Sequence, residues 1–278
     1  RDAVVAGSKL MMRTSCTGVI REGGRIVGIK VKSMGEEAEI RAKAIVAADG
    51  YESQVGRWAG IDTNVKLNDL NSCIQYRMVN CDADMEYCEF IIGRSIAPGG
   101  YLWIFPKGNG VANVGIGVMG PLCKGGEPKE YLDRFLAIDP RFKDSQAVEV
   151  AAGFVSTCPG LDCAVDDNII LVGDAARIID PLTGGGICHA CRTGMYAGKV
   201  LVEAAAKGDF SKASLMPYEK MWRDRMEDKL YRNWMAKERL AELDDETINE
   251  LVRLISTSDI EEVNVYNLLK TVKEKFPK

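Results

Sequence analysis

Apolar and polar positions alternate along much of the first half of the chain. Residues 9–20 and 25–31 carry this strand pattern, and Arg21-Glu22-Gly23-Gly24 supplies the turn between them. The polar stretch 32–37 predicts a second turn. Residues 38–48 predict a third strand, whose apolar end Ala44-Ile45-Val46-Ala47-Ala48 runs into Asp49-Gly50. A meander of strands followed by a strand ending on Asp-Gly predicts an α/β fold of the nucleotide-binding type. Ahead of it, Arg1–Gly7 reads as the last turn of a helix capped by Gly7, so residues before Arg1 are expected.

The pattern changes between Leu67 and Thr157. Residues 72–79 and 111–118 alternate like half-buried strands, and Tyr101-Leu102-Trp103-Ile104-Phe105 leads into Pro106-Lys107-Gly108. Asn109-Gly110 predicts a tight hairpin, because both positions tolerate positive φ. This region predicts an antiparallel sheet inserted between two α/β parts, with a helix over 128–137 on its flank. Residues 168–172 then form a short, continuously apolar run, as in a central parallel strand. A long helix is predicted over 186–207, stopped by Gly208-Asp209, and 211–278 reads as mostly helical. There Leu215, Tyr218, Trp222, Met226 and Leu230 recur at helical spacing. They predict a core-facing stripe; a membrane-surface face is the weaker alternative, since the helix is not strongly basic. The divisions fall at 1–62, the first α/β part; 63–160, the antiparallel-sheet domain; 161–208, the second α/β part; and 209–278, the helical segment.

Composition narrows the partners. The chain has 278 residues, is 46% hydrophobic and has a net charge of −4. A sizeable core is affordable, and no basic block points to nucleic acid. No apolar run reaches the ~18 residues of a spanning helix, and no signal-peptide pattern is read at the start. The nine cysteines are odd in number and scattered, which predicts a reduced, cytoplasmic setting.

The candidate chemistry gathers at two strand ends. Asp174 follows the apolar strand at 168–172, where α/β sheets bind ligands, and its carboxylate can accept hydrogen bonds from a polyol. Gly184, Gly185 and Gly186 lack Cβ atoms, so a flat ring can approach their backbone. The helix N-terminus that follows favours negative charge, such as develops on a reduced flavin ring. The plainer alternative is an ordinary strand-turn-helix bend; Asp49-Gly50 at a second strand end weighs against it. Cys188-His189-Ala190-Cys191 holds the only histidine. With no second such pair and no other histidine, it predicts small-residue packing, a metal or disulfide role being the weaker alternative. Cys158 and Cys163 flank Pro159-Gly160 and could pair only if local geometry allows.

Specific motifs point further. Ala47-Ala48-Asp49-Gly50 with Gly173-Asp174-Ala175-Ala176-Arg177 resembles the paired motifs of flavoproteins with the glutathione-reductase type of FAD fold. Tyr101-Leu102-Trp103-Ile104-Phe105-Pro106-Lys107-Gly108 and Pro181-Leu182-Thr183-Gly184-Gly185-Gly186-Ile187 are similar to motifs of the geranylgeranyl reductase family. So are Gly56–Gly60, Gln75–Met78 and Ala112–Gly117, so the resemblance covers essentially the whole chain. The family opens with a strand, a GxGxxG loop and a helix, roughly a hundred residues of which this chain shows no trace. The implied fold is therefore mixed α/β (α+β): an FAD-binding fold of the glutathione-reductase type lacking its first βαβ unit, with an inserted antiparallel-sheet substrate domain and a C-terminal helical segment.

The resemblance implies FAD as cofactor. Asp174 would meet its ribityl or pyrophosphate region, Gly186 and Ile187 its ring through backbone, and the backbone at Cys16 its adenine. Asp49, Gly50, Gly173, Pro181, Gly184 and Gly185 would complete the cofactor set. Tyr101, Trp103 and Phe105 alternate onto one strand face and would wall an isoprenoid chain; plain sheet packing is the alternative. Lys107 would be either a surface turn residue or a contact for a lipid phosphate. The implied reaction is FAD-dependent saturation of C=C bonds in the geranylgeranyl chains of archaeal ether phospholipids. A reductant such as ferredoxin or NAD(P)H would feed it, and the lipid substrate leaves room for peripheral membrane contact. No proton donor is identified; Tyr76 and Tyr101 are the tyrosines considered. The alternatives are an aromatic hydroxylase-like monooxygenase, a quinone-linked dehydrogenase and a non-catalytic isoprenoid-binding fragment.

Overall fold

The computed structural model describes residues 1–122 and 127–256. The strands are β1 (Thr14–Glu22), β2 (Arg25–Ser33), β3 (Glu36–Arg41), β4 (Ile45–Ala47), β5 (Leu70–Val79), β6 (Glu89–Ile91), β7 (Tyr101–Gly108), β8 (Val111–Met119), β9 (Gln146–Ser156), β10 (Val165–Asp166) and β11 (Ile169–Leu171). The helices are α1 (Asp2–Val5), α2 (Gln54–Ala59), α3 (Glu127–Ile138), α4 (Ile187–Lys207), α5 (Lys212–Leu215), α6 (Pro217–Trp222), α7 (Asp228–Glu242) and α8 (Asp245–Ser256). A single π-helical turn, Arg223–Glu227, follows α6. The protein is mixed α/β. The helical expectation for 257–278 lies outside the described residues. Among those residues no helix is long and apolar enough to cross a membrane. The described residues form two compact units, one within 1–64, 160–178 and 186–227, the other within 65–159, 179–185 and 228–256.

In the first unit β1, β2 and β3 form an antiparallel meander. The second turn uses Met34 and Gly35 at φ 51° and 97°, inside the polar stretch expected to bend. The strand expected over 38–48 is two strands in two sheets. β3 ends at Arg41, and after Ala42-Lys43-Ala44 the chain enters β4, which pairs in parallel with β11. Periodicity cannot reveal this break, since both pieces are extended and only their partners differ. Ile169, Ile170 and Leu171 of β11 are fully buried, as the continuous apolar run requires. α4 turns Thr193, Tyr196, Ala197, Val200 and Ala204 inward, and Gly208 caps its end at φ 68°. Leu215, Tyr218, Trp222 and Met226 are buried, as their spacing predicts, and so is Leu230 of the second unit.

The second unit is built on a five-stranded antiparallel sheet, ordered β6-β7-β8-β5-β9. Asn109 and Gly110 take φ of 53° and 69° at the β7–β8 hairpin. One face carries the core: Leu102, Ile104, Val114 and Ile116 are fully buried, with Leu132 of α3 in the same cluster. Each contributes about 1.5–3 kcal/mol of transfer free energy. β9 has no counterpart in the sequence reading. Its run Val148-Glu149-Val150-Ala151-Ala152-Gly153 is rich in small residues, and most of the strand is exposed at the sheet edge, so no clean alternation marks it.

Candidate functional site

Strand register places Tyr101, Trp103 and Phe105 on the sheet face opposite the core. Across four strands they head three rows: Tyr101–Gly117–Cys73–Gly153, Trp103–Gly115–Gln75–Ala151, and Phe105–Asn113–Arg77–Glu149. The three rings form a continuous wall, with centroids 5.8 Å apart between Tyr101 and Trp103 and 6.1 Å between Trp103 and Phe105. Phe90 of β6 packs edge-on against Tyr101 and Phe105. The Trp103 indole lies across Gly115, where a Cβ would come within 2.4 Å of it, and its Nε1 donates to Gln75 Oε1 at 3.0 Å. Glycine at 115 is thus a packing requirement.

Beside this wall is a cavity of about 380 Å³, lined by the three aromatic residues together with Cys73, Gln75, Gly117, Gly153, Val155 and other small or apolar groups. Two of its groups carry acidic protons. Burial pushes the Cys73 thiol up to about 11. Burial, with the nearby Cys73 and Asp180 as lesser causes, pushes the Tyr101 phenol up to about 12. Both are protonated at neutral pH. Asn71 also lines the cavity, and its buried Oδ1 has no hydrogen-bond partner. The sequence reading missed Cys73, Gly117 and Gly153, which only cross-strand register brings beside Tyr101. Lys107 stands exposed at the bulge that ends β7 and does not line this cavity. Tyr76 faces the core side, with its hydroxyl donating to Asp133 Oδ1 at 2.9 Å.

The glycine loop is also held within this unit. The Asp180 carboxylate accepts from the N–H of Leu182 at 3.0 Å and of Thr183 at 3.3 Å. Gly184 N–H donates to Asp180 O at 2.8 Å, and Asp180 N–H to Gly185 O at 3.2 Å. The Tyr101 hydroxyl donates to the Thr183 carbonyl. Gly184 sits at φ 67°, a conformation that favours glycine. Pro181 is buried; Gly185 is exposed.

The first unit holds the other expected cofactor residues. Gly173 opens a short 3₁₀ turn at φ 55°, and its N–H donates to Thr193 Oγ1 at 3.0 Å. A Cβ there would press on Ala190 at 2.9 Å. Asp174 follows; burial raises its carboxyl above the usual range, with His189 opposing. A Cβ on Gly186 would lie 2.6 Å from Asp174 Oδ1, so the carboxylate rests against bare backbone at the start of α4. No side chain caps that helix, and Ile187 is 83% exposed. The arrangement suits an anionic or polyol ligand.

Asp49 Oδ2 accepts from Val55 N–H at 2.7 Å, so this carboxylate stabilises the turn into α2, with Gly50 at φ 76°. Ser53 Oγ donates to Ala175 O at 2.8 Å, linking the turns that follow β4 and β11. Cys16 lies at a bulge in β1 opposite Val31, its thiol 3.6 Å from Gly18 O. Cys188 and Cys191 are exposed on α4, and His189 Nδ1 lies 3.2 Å from Met226 Sδ.

Comparison with known proteins bears on these groups together. The family described as the geranylgeranyl reductase catalytic domain matches residues 69–155, the stretch that supplies most of the cavity. Digeranylgeranylglycerophospholipid reductase of Thermoplasma volcanium is 44% identical over 277 residues, covering 99% of this chain and 70% of the relative. The crystal structure of a geranylgeranyl bacteriochlorophyll reductase-like protein from Thermoplasma acidophilum is 43% identical, with a TM-score of 0.94 over 99% of this chain and 70% of its own. A flavin-dependent brominase superposes with a TM-score of 0.70 at 18% identity, over 99% of this chain and 72% of its own, which speaks to fold alone. With this identity and coverage, the chain belongs to the geranylgeranyl reductase family of oxidoreductases.

Proposed function

We propose that the protein saturates C=C bonds in the geranylgeranyl chains of archaeal ether phospholipids, with FAD as cofactor on a glutathione-reductase-type fold. The observation that carries this reading is the aromatic-walled cavity beside Cys73, Gly117 and Gly153. Its lining is mostly apolar, and an isoprenoid chain offers only apolar surface to recognise. The residues present also fit the cofactor. A Cβ on Gly173 would press on Ala190 and one on Gly186 on Asp174, so the Asp174 carboxylate meets bare backbone at a helix N-terminus that no side chain caps. Asp174 would hold the polyol or pyrophosphate part, and the backbone of Pro181, Gly184, Gly185, Gly186 and Ile187 would pass beside the ring, with Cys16, Asp49 and Gly50 completing the set.

Reduced flavin, when bound, supplies a hydride. The chain must orient the alkene, exclude water and supply a proton. Tyr101, Trp103 and Phe105 hold the chain by contact with flat apolar faces. Burial keeps the Cys73 thiol and the Tyr101 phenol neutral, so the cavity stays free of charge while holding two exchangeable protons. The Tyr101 hydroxyl donates its hydrogen bond to the Thr183 carbonyl, so it would have to turn from the loop to protonate a substrate.

The test uses full-length protein purified with its cofactor. It should carry FAD, and after dithionite reduction it should add two hydrogens per double bond to a geranylgeranylated glycerophospholipid, read by mass spectrometry. Bound, reducible FAD with no gain in lipid mass would sink the proposal; oxygen incorporation would favour a monooxygenase.

A further inference from the structure

We infer that Asn233 is a positioning residue, which acts through Asp180 to hold the glycine loop 180–185 in its working shape. The functional consequence rests on the proposed reductase reading; the structural one does not. Asn233 sits on α7, only 4% exposed, among the buried residues Leu230, Ala236 and Lys237. A buried amide inside a helix costs stability in both propensity and desolvation unless it is paired. Its Nδ2 donates to Asp180 Oδ2 at 2.7 Å. Against an ionised carboxylate only the amide nitrogen can donate, which fixes the orientation of the group.

The other carboxylate oxygen, Oδ1, accepts from the Leu182 and Thr183 amides. Asp180 is therefore gripped on one side by α7 and grips the loop on the other. The chain of contacts continues, because the Thr183 carbonyl accepts the Tyr101 hydroxyl at the cavity wall. A change at Asn233 reaches Tyr101 through the Asp180 carboxylate and one residue, Thr183. Docking of α7 does not explain the amide. One helical turn later Lys237, also buried, donates to Thr157 O at 3.2 Å and lies 3.5 Å from Asp69 Oδ1, which anchors the same helix independently. The loop has no second side chain of this kind among the described residues: its remaining ties are backbone bonds, the Tyr101 hydroxyl and the Thr183 side chain.

The experiment compares full-length holoprotein carrying Asn233→Leu, Asn233→Asp, and the exchanged pair Asp180→Asn with Asn233→Asp. The exchanged pair reverses the bond between the two side chains, leaves an amide oxygen at position 180 to accept from the Leu182 and Thr183 N–H groups, and keeps net charge unchanged. Amide hydrogen exchange at Leu182 and Thr183 should accelerate about tenfold or more in the single variants, as expected for loss of a hydrogen bond to a charged group. It should return to within about threefold of the parent in the exchanged pair. Turnover should follow: kcat falls in the single variants while KM for the lipid stays within about twofold, and kcat recovers in the pair. Unchanged exchange at both amides in Asn233→Leu would overturn the inference. So would an exchanged pair that fails to fold or stays unprotected. If the parent shows no reductase activity, the functional reading fails, while amide protection still decides the role of Asn233.

Discussion

Gly153 occupies the middle of β9 directly opposite Cys73, and a Cβ there would meet nothing within 4 Å. Its φ is not positive, so neither backbone nor packing demands glycine. Gly115 differs, because the Trp103 ring fills the space above it. Gly153 instead leaves the cavity open. Gly153→Val should therefore keep or raise thermal stability, by up to about 1 kcal/mol from strand propensity, while lowering kcat/KM for a geranylgeranyl substrate more than for a geranyl one. Equal loss for both chain lengths would show that the residue does not shape the site. Cys73 carries a pH prediction. Its thiol is raised from 9.0 to about 11 by burial, so the folded state binds that proton more tightly than the unfolded chain. Its contribution to stability is complete below pH 9 and is lost as pH rises from 9 to about 11. Thermal melting across that range should fall more steeply in the parent than in Cys73→Ala. Parallel curves would contradict the burial of this thiol. Asp174→Ala removes the carboxylate that rests on Gly186 and should lower FAD retention at matched protein concentration, measured by flavin absorbance. Unchanged flavin content would remove Asp174 from the site.

At the scale of elements, α6 shows how a helix in an acidic, helix-rich segment is fixed in place. Glu219 is 3% exposed, and its carboxylate accepts from Ala164 N–H, Trp222 Nε1 and Arg223 Nε. Arg223 also donates to the carbonyls of Leu161 and Asp162 and stacks 4.4 Å over the Trp222 ring. Tyr218 adds a bond to Leu171 O at 2.8 Å. Removing one partner of such a network strands the rest: Glu219→Ala should cost about 3 kcal/mol, seen as a lower denaturant midpoint with an unchanged slope. A loss under about 1 kcal/mol would mean water replaces the carboxylate. The apolar stripe of this segment was legible in the sequence, since helical spacing alone reports it. Glu219 was not, because a buried acid looks like any surface glutamate until its partners, some 55 positions away at Ala164, are known. Strand breaks behave alike. The passage from β3 to β4 leaves no mark in periodicity, because a change of neighbour alters no local torsion pattern.

For the whole molecule, the segments that carry specific motifs and those that carry the pocket overlap only in part. Tyr101, Trp103 and Phe105 were readable as one face of a strand. Their cavity also needs Gly117 from the next strand, which ends a family-like segment but carries no sign of its place beside Tyr101, and Cys73 and Gly153 from strands further along the sheet, which no motif marks. By itself the sequence determined the hairpin turns at Met34-Gly35 and Asn109-Gly110, the strand-end carboxylates, the long α4 and the buried helical stripe. Each follows from torsional preferences or periodicities within a few residues. Only the tertiary structure decided that Cys73 faces Gly153, that Asp49 braces α2 and that Asn233 grips Asp180 from 53 positions away. The physical reason is that strand register and side-chain pairing are set by which distant surfaces exclude water together, and no local pattern encodes that choice.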